Sequence, residues 1–157
     1  MIKIVIMDVD GVLTDGKVTI DSSGNESKTI DYKDIDAIFE MKRRGIKVGM
    51  ITGESSAITQ VIRERFNPDF FYNGCKDKAA ALEEIRAQTG ADPEEICFIG
   101  DGKYDIAAMK LVRFAACPAN AIPKVKAVSN IHLKCSGGDG CILELLEWIE
   151  EQNNHES

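Results

Sequence analysis

Two aspartates, Asp8 and Asp10, stand one residue apart directly after a short apolar run near the start of the chain. A carboxylate can attack phosphorus as a nucleophile, and a second carboxyl group beside it can protonate the leaving alcohol and then activate water. Farther along, the hydroxyl of Thr52 and the ammonium group of Lys78 can hold phosphoryl oxygens. These residue types predict a site for phosphoryl chemistry, with the four side chains in those roles.

Apolar runs of strand length alternate along the chain with segments of helical periodicity. Strands are predicted over 2–7, 46–51, 70–72, 96–99, 114–117 and 131–133. Helices are predicted over 34–44, 55–66, 77–89, 104–111, 121–128 and 141–151. This order is typical of an α/β fold with a mainly parallel sheet flanked by helices.

The stretch "DSSGN" has the composition of a tight turn, so residues 17–30 are predicted to form a small β-hairpin flap. The chain, 1–157, is expected to be one domain, because its length suits a single core. Its polar tail, 152–157, is expected to be frayed.

Ligands of parallel sheets bind beyond the carboxyl ends of the strands, and the polar candidates follow predicted strand ends. Asp8 and Asp10 follow the first strand, and Asp101 follows a later one. Carboxylates that converge repel one another, and Mg²⁺ relieves the repulsion while accepting water and phosphate oxygens as further ligands. Helix capping would explain any one of these aspartates, but not the whole set. Asp8, Asp10 and Asp101 are therefore the predicted Mg²⁺ ligands.

Four segments, in order, resemble the motifs of the haloacid dehalogenase superfamily of phosphotransferases. They are "DVDGVLTDG" with Asp8 and Asp10, "ITGE" with Thr52, "GCKDK" with Lys78, and "GDGKYD" with Asp101. The resemblance covers most of the chain and implies a Rossmann-like fold. It also implies that Asp8 is the nucleophile, and that Asp10 is the acid and base and binds the metal through its backbone carbonyl.

The fourth motif departs from the common pattern at Gly102, where many relatives have a second acidic residue. The superfamily also contains acidic pairs spaced as Asp101 and Asp105 are. The resemblance therefore keeps Asp101 as a metal ligand. It leaves two roles open for Asp105, an outer residue of the metal site or the partner that orients Lys78.

Further segments, "GVLTDG", "CPANA" and "KCSGGDG", resemble the capless sugar-acid phosphatases of this superfamily. No insertion long enough for a cap domain separates Gly16 from Thr52, or Thr52 from Lys78. The group includes phosphatases of 3-deoxy-D-manno-octulosonate 8-phosphate and of sialic-acid-type nonulosonate 9-phosphates. The resemblance implies a homotetramer in which a neighbouring subunit closes each active site.

Glu54 points to the nonulosonate enzymes, because the octulosonate enzymes usually have Arg at that position. The nonulosonate enzymes also resemble this chain in having a basic residue near Arg65, although Arg65 can equally be a solvated charge at a helix end. Gly11, Gly53, Glu54 and Arg65 are the predicted substrate-binding residues. The predicted substrate is a nonulosonate 9-phosphate, and the alternative is 3-deoxy-D-manno-octulosonate 8-phosphate.

Asp139 and Leu143 stand where relatives often have Arg, so a basic contact between subunits to the sugar carboxylate is expected to be missing. A different class of function also stays open, since the C-terminal domain of animal CMP-sialic acid synthetases resembles this chain. Some such domains are assembly modules with degraded motifs, whereas this chain keeps the candidate residues. A mutase is a third alternative, which the missing cap disfavours.

The composition excludes several other classes of function. A net charge of -7 argues against nucleic-acid partners, because phosphate-backbone contacts need a basic surface. The five cysteines lack metal-site spacing, and two histidines are too few for a histidine cluster. No apolar run approaches the roughly 20 residues of a membrane span, so no membrane contact and a cytoplasmic location are expected.

Overall fold

The computed structural model describes residues 1–156. Its strands are β1 (Ile4–Met7), β2 (Thr19–Ile20), β3 (Glu26–Ser27), β4 (Lys47–Ile51), β5 (Phe70–Tyr72), β6 (Ile96–Ile99), β7 (Phe114–Cys117) and β8 (Ile131–His132). Its helices are α1 (Tyr32–Arg43), α2 (Ala57–Phe66), α3 (Lys78–Thr89), α4 (Ile106–Met109), α5 (Pro123–Val128) and α6 (Cys141–Glu156).

A parallel six-stranded sheet in the order β5-β4-β1-β6-β7-β8 forms the centre of the fold. Strand β1 is buried on both faces because helices cover both. Val5 and Met7 belong to one apolar cluster, and Ile4 and Ile6 to the other, as the two-residue period of a strand requires. The predicted α/β fold is confirmed, and β5, β6 and β7 have their predicted bounds.

The small flap is an antiparallel hairpin in which β2 pairs with β3. Its turn is closed by Asp21, whose carboxylate accepts hydrogen bonds from the backbone amides of Ser23 and Asn25. Thr14 and Ile30 form one further bridge at the base of the hairpin. In residues 1–156 only this hairpin, α1 and β4 lie between the motif with Asp8 and the motif with Thr52. The expectation of no cap domain is therefore confirmed.

All six predicted helices differ from the structure at one end or both, and two of them differ by more than two residues in length. The helix expected over 104–111 is only Ile106–Met109, because a tight turn over Lys103–Asp105 precedes it. The last helix continues to Glu156, so the prediction of a frayed tail is wrong for 152–156, and Ser157 lies outside the described residues. Asn153 explains the extension, since its side chain accepts a hydrogen bond from the amide of Ile2 and donates one to the Ile2 carbonyl.

A fully buried carboxylate from α1 caps the start of α6. Asp34 accepts hydrogen bonds from the amides of Gly140, Ile142 and Leu143, at 3.0–3.1 Å. These amides have no partner within their own helix, and a negative charge is favoured at a helix N-terminus. Asp34 thus holds α6 and the glycine-rich segment before it against α1. No helix within residues 1–156 combines the length and the apolar composition needed to cross a bilayer.

Replacement of Asp34 by Ala should destabilise the fold, because three amides lose their acceptor at once. We expect Asp34→Ala to lower the free energy of unfolding by about 1–3 kcal/mol in urea denaturation. Asp36→Ala is the matched control, since Asp36 is exposed on the same helix, and we expect it to change stability by less than about 0.5 kcal/mol. Equal effects of the two variants would contradict the capping role.

Candidate active site

Asp8 follows β1 directly and lies at the bottom of a cleft at the carboxyl edge of the sheet. Its amide donates to the carbonyl of Ile99 on the neighbouring strand, at 3.1 Å. One carboxylate oxygen accepts hydrogen bonds from the amide of Val9 at 2.8 Å and from Lys78 Nζ at 2.9 Å. Burial raises the pKa of Asp8 to about 7, and the adjacent Asp101 carboxyl adds to the rise, against the opposing charge of Lys78.

Lys78 is the first residue of α3 and carries a buried ammonium group. Its Nζ donates to Asp8 Oδ1 at 2.9 Å and to Asp105 Oδ1 at 2.7 Å. Burial by itself lowers the pKa of Lys78, but the two carboxylates outweigh it and raise that pKa above its ordinary value. Lys78 therefore stays charged and holds Asp8 in place.

Asp105 has both carboxylate oxygens occupied by hydrogen bonds. Oδ1 accepts from Lys78, and Oδ2 accepts from the amides of Asp101 and Gly102 at 3.0 and 3.1 Å. Asp8, Asp101 and Asp105 each place one oxygen within 4.8 Å of the others, a grouping that can hold a cation. Because Asp105 already orients Lys78 and shapes the loop, Asp8 and Asp101 have the carboxylates best placed for a metal.

The segment from Val9 to Leu13 turns sharply, and Gly11 makes the turn possible. Gly11 has φ +89°, and a β-carbon there would overlap the carboxylate of Asp101. Its amide donates to Thr14 Oγ1 at 3.4 Å. The missing side chain therefore lets Asp101 approach this turn. Gly11 does not line the cleft, and substrate contact through Gly11 stays a prediction.

Asp10 points toward the flap, and Lys28 from the base of the hairpin reaches it. Lys28 Nζ donates to Asp10 Oδ1 at 2.8 Å and also to Glu54, while Thr14 Oγ1 donates to the same oxygen of Asp10 at 3.2 Å. Although burial opposes it, pairing with Asp10 and Glu54 raises the pKa of Lys28. The flap is thus tied to the loops after β1 and β4.

Thr52 follows β4 directly and has its side chain buried at the cleft. Its Oγ1 accepts a hydrogen bond from the amide of Glu54 at 3.2 Å, which leaves the hydroxyl proton available for an anion. Its amide donates to the carbonyl of Tyr72, and its carbonyl accepts from the amide of Cys75. These bonds fix Thr52 relative to the loop that carries Lys78.

The cleft has a volume of about 230 Å³ and gathers most of the predicted residues. Its lining consists of Asp8, Asp10, Thr52, Gly53, Glu54, Cys75, Lys76, Lys78, Gly102, Tyr104 and Asp105. Arg65 is not brought into the cleft of its own chain, because it lies exposed in the last turn of α2. Sequence reasoning missed Lys28 and Lys76; the position of Lys76 within the "GCKDK" motif was the available signal.

Asn120 supports the turn at Gly11 from behind. Its Nδ2 donates to the Gly11 carbonyl at 3.1 Å, and its Oδ1 accepts from the amide of Gly137 at 2.7 Å. A β-carbon on Gly137 would overlap the same Gly11 carbonyl. The segments "CPANA" and "KCSGGDG" therefore pack against the first motif, which explains why they accompany it.

Comparison with known proteins agrees with this geometry. The haloacid dehalogenase-like hydrolase family matches residues 23–113. The chain is 30% identical to the 3-deoxy-D-manno-octulosonate 8-phosphate phosphatase of Haemophilus influenzae, over 94% of this chain and 82% of that protein. It is 28% identical to the enzyme of that name from Yersinia pestis, over 94% and 79% of the two chains.

A solved structure shares the fold over nearly the whole chain. The 3-deoxy-D-manno-octulosonate 8-phosphate phosphatase of Moraxella catarrhalis, in complex with magnesium, phosphate and KDO, has a TM-score of 0.90 and 31% identity. The match covers 96% of this chain and 86% of that one. The chain therefore belongs to the haloacid dehalogenase-like hydrolases and is a phosphatase without a cap domain.

Proposed function

We propose that the chain hydrolyses the phosphate ester of a 2-keto-3-deoxy sugar acid, with Mg²⁺, through an aspartyl-phosphate on Asp8. The observation that carries this proposal is the position of the Asp8 carboxylate. It lies at the bottom of the cleft, is held by Lys78, and has Asp101 beside it. The matched relatives are named as phosphatases of such a sugar acid, which supports the substrate class.

The proposed mechanism assigns one task to each cleft residue. A carboxylate oxygen of Asp8 attacks phosphorus, while Lys78 Nζ and the Thr52 hydroxyl hold the phosphoryl oxygens. Asp10 donates a proton to the leaving sugar oxygen, then takes a proton from the water that hydrolyses the aspartyl-phosphate. Its hydrogen bonds with Lys28 and Thr14 orient Asp10 for both steps.

The carboxylate of Asp8, in the cleft, and the adjacent carboxylate of Asp101 fit a divalent cation. Burial raises the pKa values of both Asp8 and Asp101; the Asp101 carboxyl adds to the rise at Asp8, and the charge of Asp105 adds to the rise at Asp101. Bound Mg²⁺ would supply the positive charge that keeps both ionised and offsets the charge of the phosphate. Asp8 and Asp101 would hold it by their carboxylates, and Asp10 by its backbone carbonyl.

The first candidate substrate is 3-deoxy-D-manno-octulosonate 8-phosphate, because the matched relatives support it better than the nonulosonate 9-phosphate we predicted from the sequence. One specific observation favours the second candidate, the nonulosonate 9-phosphate. Glu54 lines the cleft, where its carboxylate can accept hydrogen bonds from sugar hydroxyls or an N-acyl amide. However, one Glu54 oxygen is already paired with Lys28, so Glu54 also has a positioning role.

The proposal includes closure of the cleft by a second subunit, in a homotetramer. The cleft, at about 230 Å³, is smaller than the roughly 300–1,000 Å³ of typical ligand pockets, so a covering subunit would enclose a sugar acid more fully. The hairpin beside it exposes Val18 and Ile20, apolar side chains that a neighbouring copy can cover. A cytoplasmic location also stays a prediction.

Asp8→Asn should abolish turnover while the fold survives, because the amide keeps the shape but cannot attack phosphorus. We expect kcat with Mg²⁺ and a small phosphate ester to fall by at least about 10³-fold, while the far-UV circular-dichroism spectrum stays that of the folded wild type. Asp139→Asn, an exposed position outside the cleft, is the control. An inactive wild type would favour the non-catalytic assembly module, and an active Asp8→Asn would exclude the assigned nucleophile.

Mg²⁺ binding should strengthen as the pH rises to about 7. Because the pKa of Asp8 is raised in the folded state, folding favours the protonated carboxyl group. The folded state loses this contribution to its stability as the pH rises through that pKa. Mg²⁺ must displace that proton, so its apparent affinity should fall about tenfold per pH unit below the pKa. Calorimetric titration at pH 5.5, 6.5 and 7.5 tests this, and the slope should flatten in Asp8→Asn. A pH-independent affinity would refute the carboxylate assignment.

Comparison of the two sugar acids decides between the candidate substrates. We expect kcat/KM to be at least about tenfold higher for 3-deoxy-D-manno-octulosonate 8-phosphate than for a nonulosonate 9-phosphate. Glu54→Gln should slow both equally if Glu54 acts by holding Lys28. A higher kcat/KM for the nonulosonate 9-phosphate, together with a fall in kcat/KM for that substrate alone in Glu54→Gln, would establish the nonulosonate 9-phosphate as the substrate.

A further inference from the structure

Three lysines surround the cleft, and two of them are neutralised by carboxylates. Lys78 is bonded to Asp8 and Asp105, and Lys28 is bonded to Asp10 and Glu54. Neither ammonium group is therefore free to give a net positive charge to a second anionic group of a ligand. A substrate that carries a carboxylate as well as a phosphate needs another cation.

Lys76 is the lysine of the cleft that these ion pairs leave available. It lines the cleft and is exposed, and across residues 1–156 no carboxylate lies within ion-pair distance of its Nζ. Its Nζ lies 5.6 Å from the centre of the Tyr104 ring, which is 49% exposed. A contact with an exposed ring is weak, so the ammonium group can turn to an anion without losing a strong partner.

The loop that carries Lys76 is fixed against the loop after β4. The amide of Gly74 donates to the Glu54 carbonyl at 2.8 Å, and the amide of Cys75 donates to the Thr52 carbonyl at 2.9 Å. These bonds hold the backbone of Lys76 at the rim of the cleft, next to the proposed phosphoryl site. Its position is therefore set by the same loops that position Thr52 and Lys78.

We propose that Lys76 binds the carboxylate of the substrate and makes the enzyme selective for sugar acids over neutral sugar phosphates. This inference rests on the proposed function. The carboxylates of Asp10, Glu54 and Asp105 also line the cleft, so an approaching carboxylate meets repulsion unless a cation offsets it. Within one chain Arg65 does not supply that cation, because it lies outside the cleft.

Lys76→Met tests the inference, because it removes the charge and keeps most of the aliphatic length. The substrates are 3-deoxy-D-manno-octulosonate 8-phosphate and a pentose 5-phosphate, which has no carboxylate. We expect kcat/KM for the sugar acid to fall about 10- to 100-fold, mainly through KM, as is typical for a lost charge-assisted hydrogen bond. The pentose phosphate should change by less than about twofold, and Lys76→Arg should retain most of the activity with the sugar acid.

Lys103→Met is the matched control, since Lys103 Nζ lies 5.1 Å from the centre of the same Tyr104 ring but does not line the cleft. It should leave both substrates unchanged. An equal fall in kcat/KM for both substrates in Lys76→Met would place Lys76 on the phosphoryl group and overturn the inference. An unchanged kcat/KM for both substrates would overturn it as well. A wild type that hydrolyses no sugar acid would overturn the proposed function itself, whereas a wild type without preference for the sugar acid would overturn the role of Lys76.

Discussion

The buried ammonium group of Lys78 is the contact on which the rest of the site depends. It lies between Asp8 and Asp105, and the side chains of all three residues are almost inaccessible to solvent. Removing one member of a buried ion pair costs roughly 3–5 kcal/mol, because the remaining charge stays desolvated. The triad therefore connects the end of β1, the start of α3 and the turn after β6. A site built from three separate segments thereby acquires one fixed geometry.

A second lysine connects the flap to the chemistry. Lys28 contacts Asp10, the proposed acid and base, and Glu54, which lines the mouth of the cleft. Any movement of the hairpin away from the sheet must break both ion pairs, so the position of the flap and the orientation of Asp10 are coupled. Lys28 thereby fixes the hairpin beside the cleft.

The sheet and the convergence of Asp8, Asp10, Thr52 and Lys78 could be predicted, because local signals determine them. Short apolar runs end in polar residues, and parallel topology brings those ends to one edge. Lys28 and Asn120 could not be predicted in this way. Their partners are distant in the sequence, as with Asn120 and the Gly11 carbonyl, and no local period or cap marks them.

The role of Asp105 shows where pattern and geometry differ. Its spacing from Asp101 allowed either an outer place at the metal or a contact with Lys78, and only the hydrogen bonds separate these roles. Because both of its oxygens accept bonds from Lys78 and two backbone amides, Asp105 fixes the loop that presents Asp101.

The glycines complete this arrangement from the other side. Gly11 leaves room for the Asp101 carboxylate, and Gly137 leaves room for the Gly11 carbonyl. The "KCSGGDG" segment therefore contributes to the site by its lack of side chains. A side chain added at either glycine would overlap the backbone and carboxylate atoms that position Asp8 and Asp101.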